Sequence, residues 1–346
     1  MDIPSTMKAA VYRGRDDVRI ETVSVPRIGR GELLVRVESC GVCGTDLKKI
    51  HFATVEPPRI FGHEIAGTIV ELGEKLEGWK IGDRVVVHHH AACGKCDACK
   101  RKTFTDCPMF AQTGTTAGFE PAGGGFAQFI RVMPWIVERG LIKIPREVSA
   151  DEACLVEPVN TVLKAVETLS PKRGERVVVI GQGPIGLIFT QILRGRSVQV
   201  IALDLLESRL AVARRFGAVK VYRADRELLK LDADVAVVTV PSAKAVEQAL
   251  SLVRAGGRVL LFAHTKRGDV LTIDPSAVCV DEKQLIGSYS ASPRWQSEAA
   301  RLIFQRKINV RDMITHRFPL EQIGEAIKLA SNPTERSLKI VVKPNG

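Results

Sequence analysis

Cys93, Cys96, Cys99 and Cys107 are spaced C-x2-C-x2-C-x7-C, with Gly94 to help the chain turn between them. Four thiolates from one short segment can close a tetrahedral site with no open position, which is the chemistry of structural zinc. An iron–sulfur cluster takes four cysteines too. Zinc is the expectation, because nothing in the chain implies an electron-transfer partner. Four thiolates on a divalent cation leave a net negative site. Lys95, Lys100, Arg101 and Lys102 flank it and read as local charge compensation.

A second set of reactive side chains is dispersed. Cys43-Gly44-Thr45-Asp46 reads as a glycine-rich turn after a strand, and Gly62-His63-Glu64 opens another strand. Glu157-Pro158 ends a segment whose start reads as a capping box, Ser149 with Glu152 three residues on. Taken singly, a cysteine is a small core residue, a histidine a satisfied hydrogen-bonder, and a glutamate before proline the end of a helix. Spacing alone leaves two readings open, a second metal site and three unrelated residues.

The third stretch runs from Arg176 to Asp204. Val177–Ile180 is a β-branched run, short enough for a buried parallel strand. Gly181, Gly183 and Gly186 follow as G-x-G-x-x-G. Leu187–Leu193 has helical composition, Ser197–Leu203 reads as a strand, and Asp204 closes it. Alone, such glycines are an ordinary turn. With a strand before, a helix after and an acid ending the next strand, they predict a dinucleotide-binding βαβ unit. Gly181 permits the tight turn, Gly183 lets the backbone approach a pyrophosphate, and Gly186 lets the helix pack on the strand. The helix N-terminus, opened by Pro184 and Ile185, offers its free N–H groups and positive dipole end to the phosphates. Asp204 lies eighteen residues beyond Gly186, near the separation of about 20 expected for an acid that bonds a ribose 2′-hydroxyl. A carboxylate there repels a 2′-phosphate, so NAD is favoured over NADP. Arg209, one helical turn on, keeps NADP as the minority option.

The elements that must carry these residues fall into two kinds. Lys8–Tyr12, Asp17–Val23, Glu32–Ser39, Gly62–Leu72 and Asp83–His88 read as strands, so the first half is β. His88, His89 and His90 continue a strand. Consecutive side chains there point to opposite faces, so the run reads as structural. The second half alternates. Ser208–Phe216 and Lys244–Val253 read as helices, and Val219–Tyr222, Asp234–Val240, Arg258–Phe262 (after Gly256 and Gly257) and Gln284–Ser288 as strands. Val240 and the loop after Phe262 fall at strand C-termini, where a cofactor crevice lies. Helices over Glu298–Arg306 and Glu321–Ala330 and a strand over Leu338–Val342 complete the chain.

The chain has 346 residues, 45% of them hydrophobic, enough for two domains. Its net charge of +11 is scattered among acids with few aromatics, which argues against a nucleic-acid surface. No stretch is apolar enough to span a membrane and no signal-peptide core is present, so the cytoplasm is expected. The eight cysteines there read as metal ligands and reduced thiols, not disulfides.

Cys43-Gly-Thr-Asp, Gly62-His63-Glu64, the four-cysteine loop and Gly181-x-Gly183-x-x-Gly186, in this order, resemble the zinc-containing medium-chain alcohol dehydrogenases. The resemblance spans Met7-Lys8-Ala9 to Leu338–Val342. It implies an α/β plus β fold: a GroES-like catalytic domain over residues 1–157, with the structural-zinc loop at 93–107, and a Rossmann domain with a doubly wound parallel sheet over 158–289. The tail, 290–346, would return to the catalytic domain, and the active site would lie between the domains. By the same resemblance, Cys43 and His63 ligate a catalytic zinc. Glu64 is an adjacent carboxylate that ligates or stands behind the ligands. Glu157 falls at the third ligand position, with Cys154 as its rival. Glu-Pro there looks like the polyol (sorbitol) and threonine dehydrogenase branches.

Thr45 matches the hydroxyl that bonds the substrate oxygen, and Asp46 the carboxylate that orients the ligating histidine. Lys48 stands where many relatives carry a relay histidine, which leaves proton exit to ribose and water or to an inward-pointing His51. The implied protein is a two-zinc, NAD-linked dehydrogenase acting on a secondary hydroxyl of a polyol, cyclitol or sugar, and a homo-oligomer, dimer or tetramer. The substrate loops would be Lys48–Glu56, Gly114–Phe126 and Tyr289–Gln296. The alternatives are a threonine-like amino alcohol as substrate, a zinc-free quinone-type reductase, and a non-catalytic protein on the same scaffold.

Overall fold

In strand β1 (Thr6–Gly14), Lys8 and Arg13 face outward while Met7 and the run from Ala9 to Tyr12 are buried. It pairs antiparallel with β2 (Asp17–Ser24). The amino-terminal portion continues with β3 (Leu33–Gly41), α1 (Gly44–Phe52), β4 (Glu64–Leu72), β5 (Arg84–Val87), α2 (Asp97–Lys100), β6 (Thr115–Thr116), β7 (Phe129–Val132), α3 (Pro134–Arg139), β8 (Leu141–Lys143), α4 (Ala150–Ala153) and α5 (Val156–Leu169). Next come β9 (Arg176–Ile180), α6 (Pro184–Gly195), β10 (Gln199–Asp204), α7 (Glu207–Arg215), β11 (Lys220–Arg223), β12 (Ala233–Val238), α8 (Ala243–Leu252), β13 (Val253–Leu261), α9 (Pro275–Cys279) and β14 (Gln284–Gly287). The tail holds α10 (Gln296–Phe304), β15 (Ile314–Pro319), α11 (Ile323–Ser331) and β16 (Lys339–Lys343).

This computed structural model describes residues 2–74, 76–119, 123–226, 231–263, 268 and 270–346. It divides into two units: Met1–Pro158 with Ser292–Gly346, and Val159–Ala291. The expected loop Gly114–Phe126 includes residues 120–122, which lie outside the described residues.

In the first unit the main sheet runs β15-β16-β3-β4-β5-β8, with β7 also paired to β3. Leu33, Val35, Val37, Ile65, Ile69, Val85 and Val87 from its central strands share a core with Tyr12, Ile130, Ile340 and Val342. The tail belongs here: β16 lies antiparallel on β3, with Val341 opposite Gly41 and Val342 opposite Cys40. Buried Asp151 fastens it further, accepting from Arg317 Nε at 2.7 Å and Lys343 Nζ at 2.6 Å.

The second unit is a six-stranded sheet, β11-β10-β9-β12-β13-β14, with every pairing parallel. In order of appearance that is 3-2-1-4-5-6, the Rossmann arrangement. Val177–Ile180 and Val235–Val238 are buried throughout, as central parallel strands covered on both faces must be.

Three local readings need correction. Cys43 to Asp46 is not a turn but the start of α1, because the Asp46 carboxylate accepts from the Cys43 backbone N–H (3.2 Å) and closes the helix N-terminus. Glu157-Pro158 does not end a segment. Ser149 and Glu152 form the expected box on α4, and Pro158 then sits in the first turn of α5, where a missing N–H costs nothing. The strand after Gly256 and Gly257 starts before them, at Val253. Gly256 adopts φ +70° and gives its N–H to the Asp281 carbonyl, so the register shifts and the strand persists.

Candidate active site

The Cys43 thiol, the His63 ring and the Glu64 carboxylate offer donor atoms within 4.8 Å of one another, although the residues are twenty positions apart. Cys43 caps α1 and Glu64 begins β4 directly after His63. Asp46, 1% exposed, holds the set together. Its Oδ1 faces His63 Nδ1 at 3.1 Å and accepts from the Gly62 N–H at 3.4 Å, while Oδ2 takes the Cys43 N–H. Burial pushes the Asp46 carboxyl up, but His63 and the hydrogen bonds outweigh it and leave it lowered. With Nδ1 engaged, Nε2 is the lone pair His63 can offer a metal. A thiolate, an imidazole and a carboxylate converging at this range form a donor set that suits zinc.

Glu157 is 6% exposed. Burial pushes its carboxyl up to about 7, opposed by His63 and reinforced by Glu64. It faces the same cluster electrostatically but lies outside the set of donors within 4.8 Å. Cys154 is outside it as well. Burial raises its thiol to about 12, and it donates to the Asp151 carbonyl.

Sequence reasoning missed Lys339. Its ammonium lies 2.5 Å from Glu64 Oε2, with the two side chains 5% and 1% exposed, and it donates to the Val42 carbonyl at 2.9 Å. Burial pulls its pKa down, but Glu64 and Cys43 more than offset this and leave it raised. A Cβ on Gly41 would collide with the Glu64 carboxylate and the Lys339 Cε, so the pair occupies space only glycine leaves. The available signal was a lysine set directly before the apolar β-branched run Ile340–Val342.

The histidine run also departs from expectation. β5 ends at Val87, so the strand period does not govern residues 88 to 90. The His89 ring lies 4.8 Å from that of His63 and 4.0 Å from that of His90, and His90 stacks on Phe110 at 5.1 Å. Only His88 is buried apart, with burial taking it to about 4. His51 does not serve as an inward relay, because its nitrogens engage Asp16 (2.5 Å) and Ser331 (2.7 Å). Thr45 is half-buried in the first turn of α1, and its hydroxyl has no hydrogen-bond partner among the described residues.

Cys93, Cys96, Cys99 and Cys107 form a second set of donors within 4.8 Å. The sulfurs of Cys93 and Cys99 are 3.9 Å apart and those of Cys96 and Cys99 3.6 Å, so they are separate thiols. A tetrahedral site with Zn–S near 2.3 Å requires sulfurs about 3.8 Å apart, which fits. The Cys93 N–H points at Cys107 Sγ and the Cys96 N–H at Cys93 Sγ. Arg139 donates to the Ala92 and Cys93 carbonyls and ties the loop to α3.

In the second unit Gly181 takes φ +91°, and Thr239 Oγ1 latches the turn by donating to the carbonyls of Ile180 and Gly181. A side chain at Gly181 would strike Thr239 and Val240, and one at Gly186 would strike the Gly181 carbonyl. Gly183 is different: the nearest atom to a Cβ there is Arg209 Nη1, at 3.6 Å. Gly183 caps α6, with Pro184 and Ile185 in its first turn. Buried Asp204 accepts from the backbone N–H groups of Gln182 (2.6 Å) and Leu206 (2.9 Å), with Arg209 Nη1 at 3.9 Å. Val240 lies just past the end of β12.

Comparison with known proteins gives this geometry its context. The family model for the alcohol dehydrogenase GroES-like domain matches residues 29–146, and that for zinc-binding dehydrogenase matches residues 184–305. The chain is 32% identical to D-arabinitol dehydrogenase 1 of Uromyces fabae and 29% identical to sorbitol dehydrogenase of Bacillus subtilis, covering 99% of both chains in each case. Acetophenone reductase of Geotrichum candidum, solved with NAD, superposes with a TM-score of 0.86 at 25% identity, covering 99% of this chain and 98% of that one. Similarity of this extent, over both units and both clusters, means that the chain belongs to the zinc-containing medium-chain dehydrogenases, in their polyol branch, and is an alcohol or polyol oxidoreductase.

Proposed function

We propose that this protein oxidises a secondary hydroxyl of a polyol, cyclitol or sugar to a ketone, with NAD as hydride acceptor. The observation that carries the reading is the Cys43, His63 and Glu64 donor set with Asp46 behind it. Cys43 and His63 would hold a catalytic zinc with Glu157 as the proposed third protein ligand, and Glu64, the carboxylate grouped with them and paired to Lys339, would either ligate or stand behind them. The four-cysteine loop would hold a structural zinc. The bound metal supplies Lewis acidity that lowers the pKa of a substrate hydroxyl, and the nicotinamide accepts the hydride. Thr45 would accept the hydrogen bond of the substrate hydroxyl and, as that proton transfers, release its own to the cofactor ribose or water. Asp46 fixes the His63 tautomer and ring orientation.

The backbone of Gly181, Gly183 and Gly186 makes room for the pyrophosphate at the N-terminus of α6, where Pro184 and Ile185 begin the helix. Val240 flanks the turn. Asp204 accepts from the ribose and, with Arg209 close by, favours NAD while leaving NADP as a weaker alternative. The carboxylates near the thiolate and imidazole make the donor set harder, which suits oxygen-rich substrates. The similarity to arabinitol and sorbitol dehydrogenases supports the same class.

In this reading the metal chemistry belongs to residues 1–157 with the 290–346 tail, and the cofactor to 158–289. A homo-oligomer in the cytoplasm is part of the proposal, and size-exclusion chromatography with light scattering tests the oligomer. No helix among the described residues is long and apolar enough to cross a membrane.

The test is NADH formation by zinc-loaded protein across polyols, cyclitols, sugars, simple alcohols and threonine, repeated with NADP. Turnover of polyhydroxy substrates with NAD is expected. Cys43→Ser and His63→Ala should abolish it while NADH still binds. Loss of NADH binding in both variants would refute the division of roles, and turnover of threonine alone would replace the substrate class.

A further inference from the structure

His89 carries an imidazole that the assigned chemistry leaves idle. Its ring lies 4.8 Å from that of His63, tilted by 46°, and 4.0 Å from that of His90. Its two ring neighbours are committed: His63 Nδ1 to Asp46 and His90 Nδ1 to the Gln112 carbonyl at 3.3 Å. Neither nitrogen of His89 has a hydrogen-bond partner among the described residues, and the ring is only half-buried. The residue itself is anchored, because the Gly114 N–H donates to its carbonyl at 2.8 Å. A ring held obliquely between two others and anchored through its backbone, with both nitrogens unused, beside a metal-ligand ring, is organised to meet something that enters from solution.

A neutral imidazole presents one donor and one acceptor. An alcohol hydroxyl presents the same two functions, and on leaving water it needs both replaced. Thr45 already stands for the reacting oxygen. An imidazole adjacent to the ligand ring is placed for the neighbouring carbon's hydroxyl. We propose that His89 is a specificity-determining residue that hydrogen-bonds the hydroxyl next to the reacting carbinol, so that the site selects vicinal diols over simple secondary alcohols. This rests on the polyhydroxy substrate class inferred above.

The matched pair 2,3-butanediol and 2-butanol differs by that one hydroxyl. Wild-type enzyme is expected to favour the diol in kcat/KM. His89→Phe keeps a ring between His63 and His90 and removes both nitrogens. It should lower kcat/KM for the diol about tenfold, mainly through KM, and leave 2-butanol within about twofold. His89→Gln, which retains a donor and an acceptor, should recover part of the preference. Diol binding to the enzyme–NADH complex, followed by NADH fluorescence, should weaken in the same proportion in His89→Phe, with zinc content unchanged. If the phenylalanine variant loses zinc or its fold, His89→Leu poses the same question.

An equal loss on both substrates would overturn the proposal and make His89 a support for His63. An unchanged diol preference would overturn it and leave the polyol reading intact. Absence of any diol preference in the wild type would defeat the polyol reading itself.

Discussion

Lys339 and Glu64 show what burial does to a charge pair. Each ion gives up its hydration, and the mutual attraction at 2.5 Å, with the Val42 carbonyl as a further acceptor, compensates for it. Removing one partner strands the other. Lys339→Met is therefore expected to cost about 3 kcal/mol in metal-stripped protein, read as a fall in the urea midpoint. Lys339→Met with Glu64→Gln should recover most of that loss, because no buried carboxylate is then left unpaired. Additive losses would show that the two residues do not act as a pair.

The residue scale is also where the sequence was most unevenly legible. The four-thiolate cluster declares itself by spacing, since few other roles demand four cysteines within fifteen positions. Cys43, His63 and Glu64 do not, because a helix cap and a strand start bring them together. Lys339 is more distant still, placed by β16 lying on β3. For His88 to His90 the strand period does not apply, because the strand stops at Val87.

At the scale of elements, the turn between β9 and α6 separates two uses of glycine. Gly186 is needed for packing: an added methyl meets the Gly181 carbonyl, which the Thr239 latch holds in place. Gly183 is not, because its Cβ position is clear except for the tip of Arg209. Gly186→Ala should thus lower the thermal midpoint by several degrees and weaken NADH binding along with it. Gly183→Ala should leave the midpoint nearly unchanged and weaken NADH binding alone, since the methyl obstructs only the approach of the pyrophosphate. Calorimetric scans and NADH fluorescence titrations of the two variants decide this. A destabilised Gly183→Ala that binds NADH normally would reverse the assignment. Long periodic elements such as α6 and the parallel strands follow directly from composition. Boundaries at Gly256 and Pro158 do not, since each residue ends an element in one context and is absorbed by it in another. The outcome depends on partners, such as the Asp281 carbonyl, that lie far along the chain.

At the scale of the molecule, two cores answer to two different ligands. The sheet around β3 and β4 organises the Cys43 cluster, with the four-cysteine loop packed in a small core of its own, and the parallel sheet around β9 and β10 organises the glycine turn and Asp204. Hydrogen exchange can read both at once. With NADH near 100 times its Kd, openings that destroy its site should become about 2.7 kcal/mol more costly. Exchange should then slow most at amides 181–187 and at Leu206, the segment that carries the turn and the N–H groups on Asp204. Chelator treatment should instead speed exchange at the Cys93 and Cys96 amides, which point at cysteine sulfurs, and at the Cys43 and Gly62 amides, which depend on Asp46. The β12 to β14 amides should be indifferent to the chelator. Metal analysis on the same samples should fall from two zinc ions per chain to none, and Cys96→Ser should retain about one, at the Cys43 cluster. A chelator effect centred on β12 to β14, or NADH protection that spares 181–187, would mean that the ligands had been given to the wrong sheets.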